Sequence, residues 1–95
     1  NFAIHGFKTK TGDCYVMAGT FYYMAKLLGY DAHQIAGYVP LRSGNMGVHS
    51  WVGIDINGST YVFDPDFTHE SGRNGYQISY GMSGTCRYSN YYRMN

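Results

Sequence analysis

The pattern of apolar and polar positions predicts one helix followed by short strands. From Cys14 to Leu28 apolar residues recur at alternating steps of four and three, which is helical spacing with a wide apolar face. Only Lys26 is charged in this stretch, so the pattern predicts a largely buried helix. Asp13 offers a side-chain cap for its start, and Gly29 follows the last periodic residue, where a left-handed conformation commonly ends a helix.

After this helix the apolar period changes to two, which is typical of strands. Asn57-Gly58 is a strong two-residue hairpin signal, and it places Ile56 opposite Ser59 and Trp51 opposite Asp64. The pattern weakens beyond Phe67, where 76–80 and the tyrosine-rich tail from Arg87 are weaker strand candidates. Helix first and antiparallel strands afterwards predict an α+β fold. The predicted strands are 32–39, 49–56 and 60–64, with a loop at 41–48.

Composition limits the function classes. Ninety-five residues allow one domain. Seven basic and six acidic residues give a net charge of +1, which excludes the electrostatic footprint of a nucleic-acid-binding protein. No apolar run is long enough for a membrane span. Charged residues make up only 14%, and the polarity comes from Tyr, Ser, Thr, Asn and Gly, as is common in secreted and cell-surface proteins.

Cys14 lies in the first turn of the predicted helix, where the helix dipole and unpaired N–H groups favour a thiolate. This position makes it a candidate nucleophile, and a small buried hydrophobe is the alternative. The second cysteine is Cys86, and neither belongs to a Cys-x-x-Cys pair. A disulfide between the two stays open.

His49 and Asp64 complete a candidate catalytic set. In the predicted hairpin register His49 lies diagonal to Asp64, within reach of a hydrogen bond that would orient the imidazole. Asp66 would face His49 directly, but Pro65 is expected to end the ladder before it, so Asp64 is favoured. Asp55 lies on the same face, nearer the turn. Cys, His and Asp in this order have the parts of a nucleophile–base–orienter triad.

The remaining histidines, His5, His33 and His69, are expected to be structural or solvated. No zinc motif is present, and a metal would need scattered ligands. We therefore predict no metal and no cofactor.

Three ordered segments carry a family resemblance: Gly12-Asp13-Cys14-Tyr15, His49-Ser50-Trp51-Val52 and Tyr61-Val62-Phe63-Asp64-Pro65. They resemble the nucleophile helix, the His-x-Trp-Val strand and the Asp-Pro-ending run of transglutaminase-like domains, over about residues 12–67. With Arg42-Ser43-Gly44 before the histidine strand, the sequence looks most similar to modules of Gram-positive secreted and surface proteins.

The resemblance implies a papain-like α+β fold, with the cysteine helix packed on an antiparallel sheet. It implies Cys14 as nucleophile, His49 as general base and acid, and Asp64 as orienting carboxylate. The implied chemistry is acyl transfer through a thioester, which an amine or water resolves. The candidate substrate-groove residues are Tyr15, Tyr38 and Trp51.

From this resemblance we expect residues 1–95 to form a single transglutaminase-like domain, the core of a longer secreted or cell-surface protein. The expected substrate is a protein Gln side chain or a cell-wall peptide. An NlpC-type cell-wall peptidase also begins with Asp-Cys on a helix, but it prefers His as third member, which Asp64 argues against. A catalytically silent adhesion or carbohydrate-contacting module is the alternative outside enzymes, since 11 Tyr and one Trp offer stacking surface.

Overall fold

The computed structural model describes residues 12–41, 43–80 and 87–95, without the side chains of residues 12, 13 and 70. The fold is α+β, with a cysteine-bearing helix packed on an antiparallel four-stranded sheet, as predicted. The proposed Asp13 cap, His5, Arg42 and Cys86 lie outside what is described. The elements are α1 (Gly12–Leu27), β1 (Asp31–Pro40), β2 (Met46–Ile56), β3 (Ser59–Phe63), α2 (Pro65–Ser71) and β4 (Ser89–Arg93).

The hairpin between β2 and β3 sets the register near the candidate site. Asn57 and Gly58 have φ values of 51° and 83°, as a type I′ turn requires at both central positions. Ile56 pairs with Ser59 and Val52 with Phe63, which confirms the predicted register. β2 begins at Met46, earlier than predicted, because its pairing with β1 continues to Pro40.

The sheet order is β3-β2-β1-β4, so the tail forms the edge strand opposite β3. β4 pairs antiparallel with β1, through contacts such as Ala36 with Tyr92. The tail strand is therefore confirmed. Residues 76–80 do not form a strand, and Ile78 makes only an isolated bridge to Val62.

The helix α2 was not predicted. Its start carries a recognisable signal, since Asp64 is the N-cap and Pro65 occupies the first helical position, where Pro is favoured. In the strand pattern alone, Pro65 indicates only the end of a strand. The chain turns directly from β3 into this helix, which brings the residues after Pro65 back toward the sheet.

The prediction that α1 is largely buried is wrong for much of its surface. Cys14, Ala18 and Ala25 are buried, but Met24 and Leu28 are exposed, Leu28 by 75%. The apolar stripe is wider than the face that the sheet covers, so its edges reach solvent. Gly29 ends the helix in the left-handed region, with φ of 91°, as predicted.

An apolar groove of about 310 Å³ lies at the C-terminal end of α1. The groove is lined by Phe21, Met24, Ala25, Leu28, Tyr30, Ile54, Ile56, Phe63 and Gln77.

No helix among the described residues is long and apolar enough to cross a membrane.

β2 supplies two buried apolar clusters, because its alternate side chains point to opposite faces of the sheet. Trp51 belongs to one cluster with Val39, Val62 and Phe67. Val52 belongs to the other, which includes Ala18 of α1 and is therefore the contact between helix and sheet. Burial on both faces fixes the strand that carries His49.

Candidate active site

Cys14 is positioned by the first turn of α1. Its side chain is only 1% exposed, and it forms no disulfide with another described residue. Ala18, one turn later on the same face, is buried against the sheet and holds this end of the helix in place. The sulfur therefore lies at the positive end of the helix dipole.

His49 and Asp64 form the hydrogen bond that the hairpin register predicted. His49 Nε2 donates to Asp64 Oδ2 over 2.9 Å, and both side chains are buried. Val52 and Phe63 are the last pair of the β2–β3 ladder, so Asp64 is the first residue beyond it. Its carboxylate reaches across the end of the ladder to the imidazole.

The Asp64 carboxylate is fixed by further donors. The Phe67 N–H donates to Oδ1 over 3.1 Å, which is the N-cap bond of α2. The Tyr88 hydroxyl donates to Oδ2 over 2.6 Å. Three donors thus hold one buried carboxylate, which removes its rotational freedom and sets the plane of the His49 ring.

Tyr88 is a site residue that sequence reasoning missed. It lies 24 residues from Asp64 in the tail that leads into β4. No local spacing connects the two positions, because they meet only when β4 pairs with β1 at the edge of the sheet opposite β3.

Opposing effects act on the charge of His49. Burial lowers its pKa, but the negative charge and hydrogen bond of Asp64, together with a hydrogen bond and charge from Cys14, outweigh it and raise the pKa from 6.5 to about 9. The imidazolium is thus favoured between a carboxylate and the thiol. Since Nε2 is committed to Asp64, Nδ1 is the ring nitrogen on the other side.

Asp66 lies on that other side. It is 7% exposed, and its Oδ2 is 3.9 Å from His49 Nδ1. Atoms of Cys14, His49 and Asp66 that could ligate a metal all lie within 4.8 Å of one another. Asp64 and Asp66 were weighed as competitors for one role, but the structure brings them to opposite nitrogens of the ring. Pro65 separates them by turning strand into helix.

Trp51 was expected to line the substrate groove, but it is fully buried. Its ring stacks on His49 with centroids 5.8 Å apart and packs against Tyr88 at 4.3 Å. Its Nε1 donates to the Tyr80 hydroxyl. Trp51 therefore supports the His49 ring from inside the core. A residue that lines a substrate groove must be exposed, and Trp51 is not.

Tyr15 and Tyr38 lie nearer the surface. Tyr15 is half-buried beside Cys14, and burial, followed by the charges of Cys14, Tyr92 and Tyr38, raises its pKa. Tyr38 is 41% exposed. These two rings lie close enough to interact electrostatically on the Cys14 side of the molecule, and their groove role stays a prediction.

The other candidates lie apart from this site. Both carboxylate oxygens of Asp55 accept from Arg93 over 3.0–3.1 Å. His33 Nε2 is 3.1 Å from Asp31, at the same end of β1. His69 is exposed on α2. None of these residues touches Cys14 or His49 in the described part of the chain.

A family model described as the transglutaminase-like superfamily matches residues 3–65. The match spans about two thirds of the chain and includes Cys14, His49 and Asp64. Comparisons with curated proteins and with solved structures gave no match. The matched segment covers the helix that carries Cys14, the strand that carries His49, and β3 with Asp64 directly after it, and on this basis the chain belongs to the transglutaminase-like superfamily.

Proposed function

We propose that the protein catalyses acyl transfer or amide hydrolysis through a Cys14 thioester. The observation that carries this proposal is the buried hydrogen bond from His49 Nε2 to Asp64, 2.9 Å long, with Cys14 at the helix start on the other side of the ring. Membership of the superfamily supports cysteine-based catalysis at this site.

In the proposed reaction the Cys14 thiolate attacks the carbon of a carboxamide or peptide carbonyl. His49 gives its Nδ1 proton to the departing ammonia or amine, and a thioester remains. The neutral imidazole then takes a proton from an amine or water, which attacks the thioester and releases Cys14. Asp64 keeps the ring oriented and stabilises its charged form. The backbone N–H of Cys14 is a natural oxyanion donor at a helix start.

The substrate that we propose is a protein Gln side chain or a cell-wall peptide. Low charge and a polarity carried by Tyr, Ser and Asn support a secreted or cell-surface setting. The resemblance that includes Arg42-Ser43-Gly44 supports the Gram-positive type. In the same proposal residues 1–95 form one papain-like catalytic domain.

A catalytically silent binding module is the second candidate. The observation that favours it is that Cys14 and His49 are each only 1% exposed, so a substrate carbonyl reaches the sulfur only if covering groups move. Exposed aromatic rings such as Tyr91 and Tyr92 would then supply the contacts. The intact hydrogen-bonded Cys, His and Asp favour the enzyme, because a binding surface does not need them.

Mass spectrometry of a Gln-containing peptide, incubated with the protein with and without a primary amine, tests the proposal. We expect amine incorporation with release of ammonia, or deamidation or scission in water. Cys14→Ala should abolish each product. The amount of product formed by Cys86→Ser shows how much the other thiol contributes. Equal product from wild type and Cys14→Ala, or no product and no acylated Cys14 with either a Gln-containing peptide or a cell-wall peptide, would overturn the proposal that the protein is an enzyme.

A further inference from the structure

We propose that Cys14, His49 and Asp66 form a binding site for a thiophilic divalent cation such as Zn²⁺, and that the bound ion reversibly blocks the thiol. The metal binding is argued from geometry alone. Its consequence as regulation rests on the proposed function, because only a working nucleophile can be inhibited.

The spacing of the ligand atoms is close to what zinc needs. In a tetrahedral site a nitrogen and an oxygen ligand lie about 3.4 Å apart, given metal–ligand bonds of about 2.0–2.1 Å. His49 Nδ1 and Asp66 Oδ2 are 3.9 Å apart, and the Cys14 atom lies within 4.8 Å of both. A shift of about 0.5 Å brings the His49 and Asp66 atoms to the spacing that zinc needs, and side-chain rotation of Cys14 has to close the remaining distance to the sulfur.

Asp64 prepares His49 as a ligand. Because Asp64 accepts from Nε2, deprotonated Nδ1 presents its lone pair toward Cys14 and Asp66. A carboxylate on the far nitrogen is the usual support of a metal-bound histidine. Here that carboxylate is itself held by Phe67 and Tyr88, so the ligand direction is fixed before an ion arrives.

The burial of Asp66 is an independent observation. The helix dipole favours an acidic residue in the first turn of α2, and a protonated His49 ring 3.9 Å away adds an ion pair. A carboxylate that is 7% exposed beside an imidazole and a thiol completes a sulfur, nitrogen and oxygen donor set. That set suits zinc rather than magnesium or calcium.

Binding is balanced by proton release. The ion replaces the proton of the Cys14 thiol and any proton on His49 Nδ1, and three protein ligands leave a fourth position for water. No electron is transferred. The sulfur lone pair that would attack a carbonyl is then donated to the metal, and a chelator restores the thiol.

A second group, formed by Asp31, His33 and Asp55, does not carry the same argument. Arg93 already binds both oxygens of Asp55, and Asp31 is exposed. Asp55→Asn therefore serves as the control for removing a carboxylate near a histidine outside the proposed site.

Cobalt spectroscopy tests the binding directly. In a Cys86→Ser background, Co²⁺ should give a near-ultraviolet thiolate-to-cobalt band with intense visible bands of tetrahedral geometry, and Zn²⁺ should erase them. Asp66→Asn should weaken Co²⁺ binding at least about tenfold, whereas Asp55→Asn should leave it unchanged. Absence of the thiolate band, or equal affinity in Asp66→Asn, overturns the proposal. Circular dichroism checks that each variant is folded.

The blocking step is measured as protection of Cys14 from iodoacetamide. Zn²⁺ should slow alkylation, EDTA should restore it, and Asp66→Asn should lose the protection relative to its own metal-free rate. If the protein shows the cobalt–thiolate band but transfers no acyl group, the proposed function is wrong and the metal site is still supported. Acyl transfer that Zn²⁺ does not inhibit defeats the metal inference alone.

Discussion

His49 lies between carboxylates that are only two residues apart in the chain. Asp64 binds Nε2 over 2.9 Å and Asp66 approaches Nδ1 at 3.9 Å. Pro65 makes this possible, because it begins α2 immediately after the Asp64 cap. The ring nitrogens therefore have different environments: one is held in a fixed hydrogen bond, and the other faces the thiol.

Asp64→Asn should lower the pKa of His49. Asn still caps a helix, so α2 keeps its N-terminal bond, but the negative charge that helps to outweigh the effect of burial on the His49 pKa is lost. An NMR titration of the imidazole in metal-free buffer should place the wild-type pKa near 9 and the variant at least about one unit lower. An unchanged titration would mean that Asp64 does not stabilise the imidazolium.

The same pair makes stability depend on pH. The pKa of His49 is higher in the folded state, about 9 against 6.5, so protonation favours the native protein. This stabilisation is complete below about pH 6.5 and is lost as the pH rises through about 9. In urea unfolding, the free-energy difference between wild type and Asp64→Asn should narrow over that window. A constant difference would contradict the assignment.

Tyr88→Phe should remove a hydrogen bond to Asp64 without leaving a cavity in the core. The Phe ring keeps the packing on Trp51 at 4.3 Å and loses the 2.6 Å bond to the carboxylate. Hydrogen bonds to charged groups contribute about 1.5–3 kcal/mol, so we expect a loss of that order in urea unfolding and slower Cys14 alkylation. Tyr91→Phe is the control, since Tyr91 stacks on Tyr80. Equal effects of both variants would show that the Tyr88 hydroxyl has no specific role at the site.

At the scale of elements, α1 shows what periodicity can and cannot predict. The spacing of apolar residues correctly predicted a helix, but not how much of its stripe the sheet covers. Met24 and Leu28 are exposed beside the groove at the C-terminal end, while Ala18 and Ala25 make the contact with the sheet. Small residues define the buried face because they allow the helix backbone to approach β2.

The glycines of α1 and β1 should respond oppositely to the same substitution. A Cβ at Gly37 would lie 2.7 Å from the Trp51 ring and 2.9 Å from the Tyr91 backbone, so Gly37→Ala should destabilise by roughly 1–3 kcal/mol. A Cβ at Gly19 would meet Gln34 at an ordinary 3.6 Å, so Gly19→Ala should stabilise the helix by up to about 1 kcal/mol. Thermal unfolding compares them, and a tolerated Gly37→Ala would contradict the close packing of β4.

At the scale of the whole molecule, the parts that could be predicted are those governed by local pattern. The β2–β3 hairpin follows from Asn57-Gly58, and the His49–Asp64 bond follows from its register. Tyr88 could not be placed in this way, and the register brought Asp66 opposite His49 without showing that it approaches the second ring nitrogen. Their positions depend on β4 crossing to β1 and on α2 turning back, and neither event leaves a periodic signal in the sequence.

The tertiary fold also explains part of the tyrosine excess. Tyr80, Tyr88 and Tyr91 surround Trp51, in a cluster that joins the tail to the strand carrying His49. Burial raises the pKa of Tyr80 to about 12, although its hydrogen bond with Trp51 acts in the opposite direction. The rings supply apolar area, while the Tyr80 hydroxyl accepts from Trp51 and the Tyr88 hydroxyl donates to Asp64, which suits a core with few charged residues.

The central claim is that His49 activates Cys14, and the rate of Cys14 alkylation by iodoacetamide near neutral pH tests it most directly. The measurement uses the Cys86→Ser background with EDTA, with and without His49→Ala, and circular dichroism confirms folding. We expect rapid labelling of the parent and at least about tenfold slower labelling of the variant, because the cation that stabilises the thiolate is gone. Equal rates in the two folded proteins would contradict it.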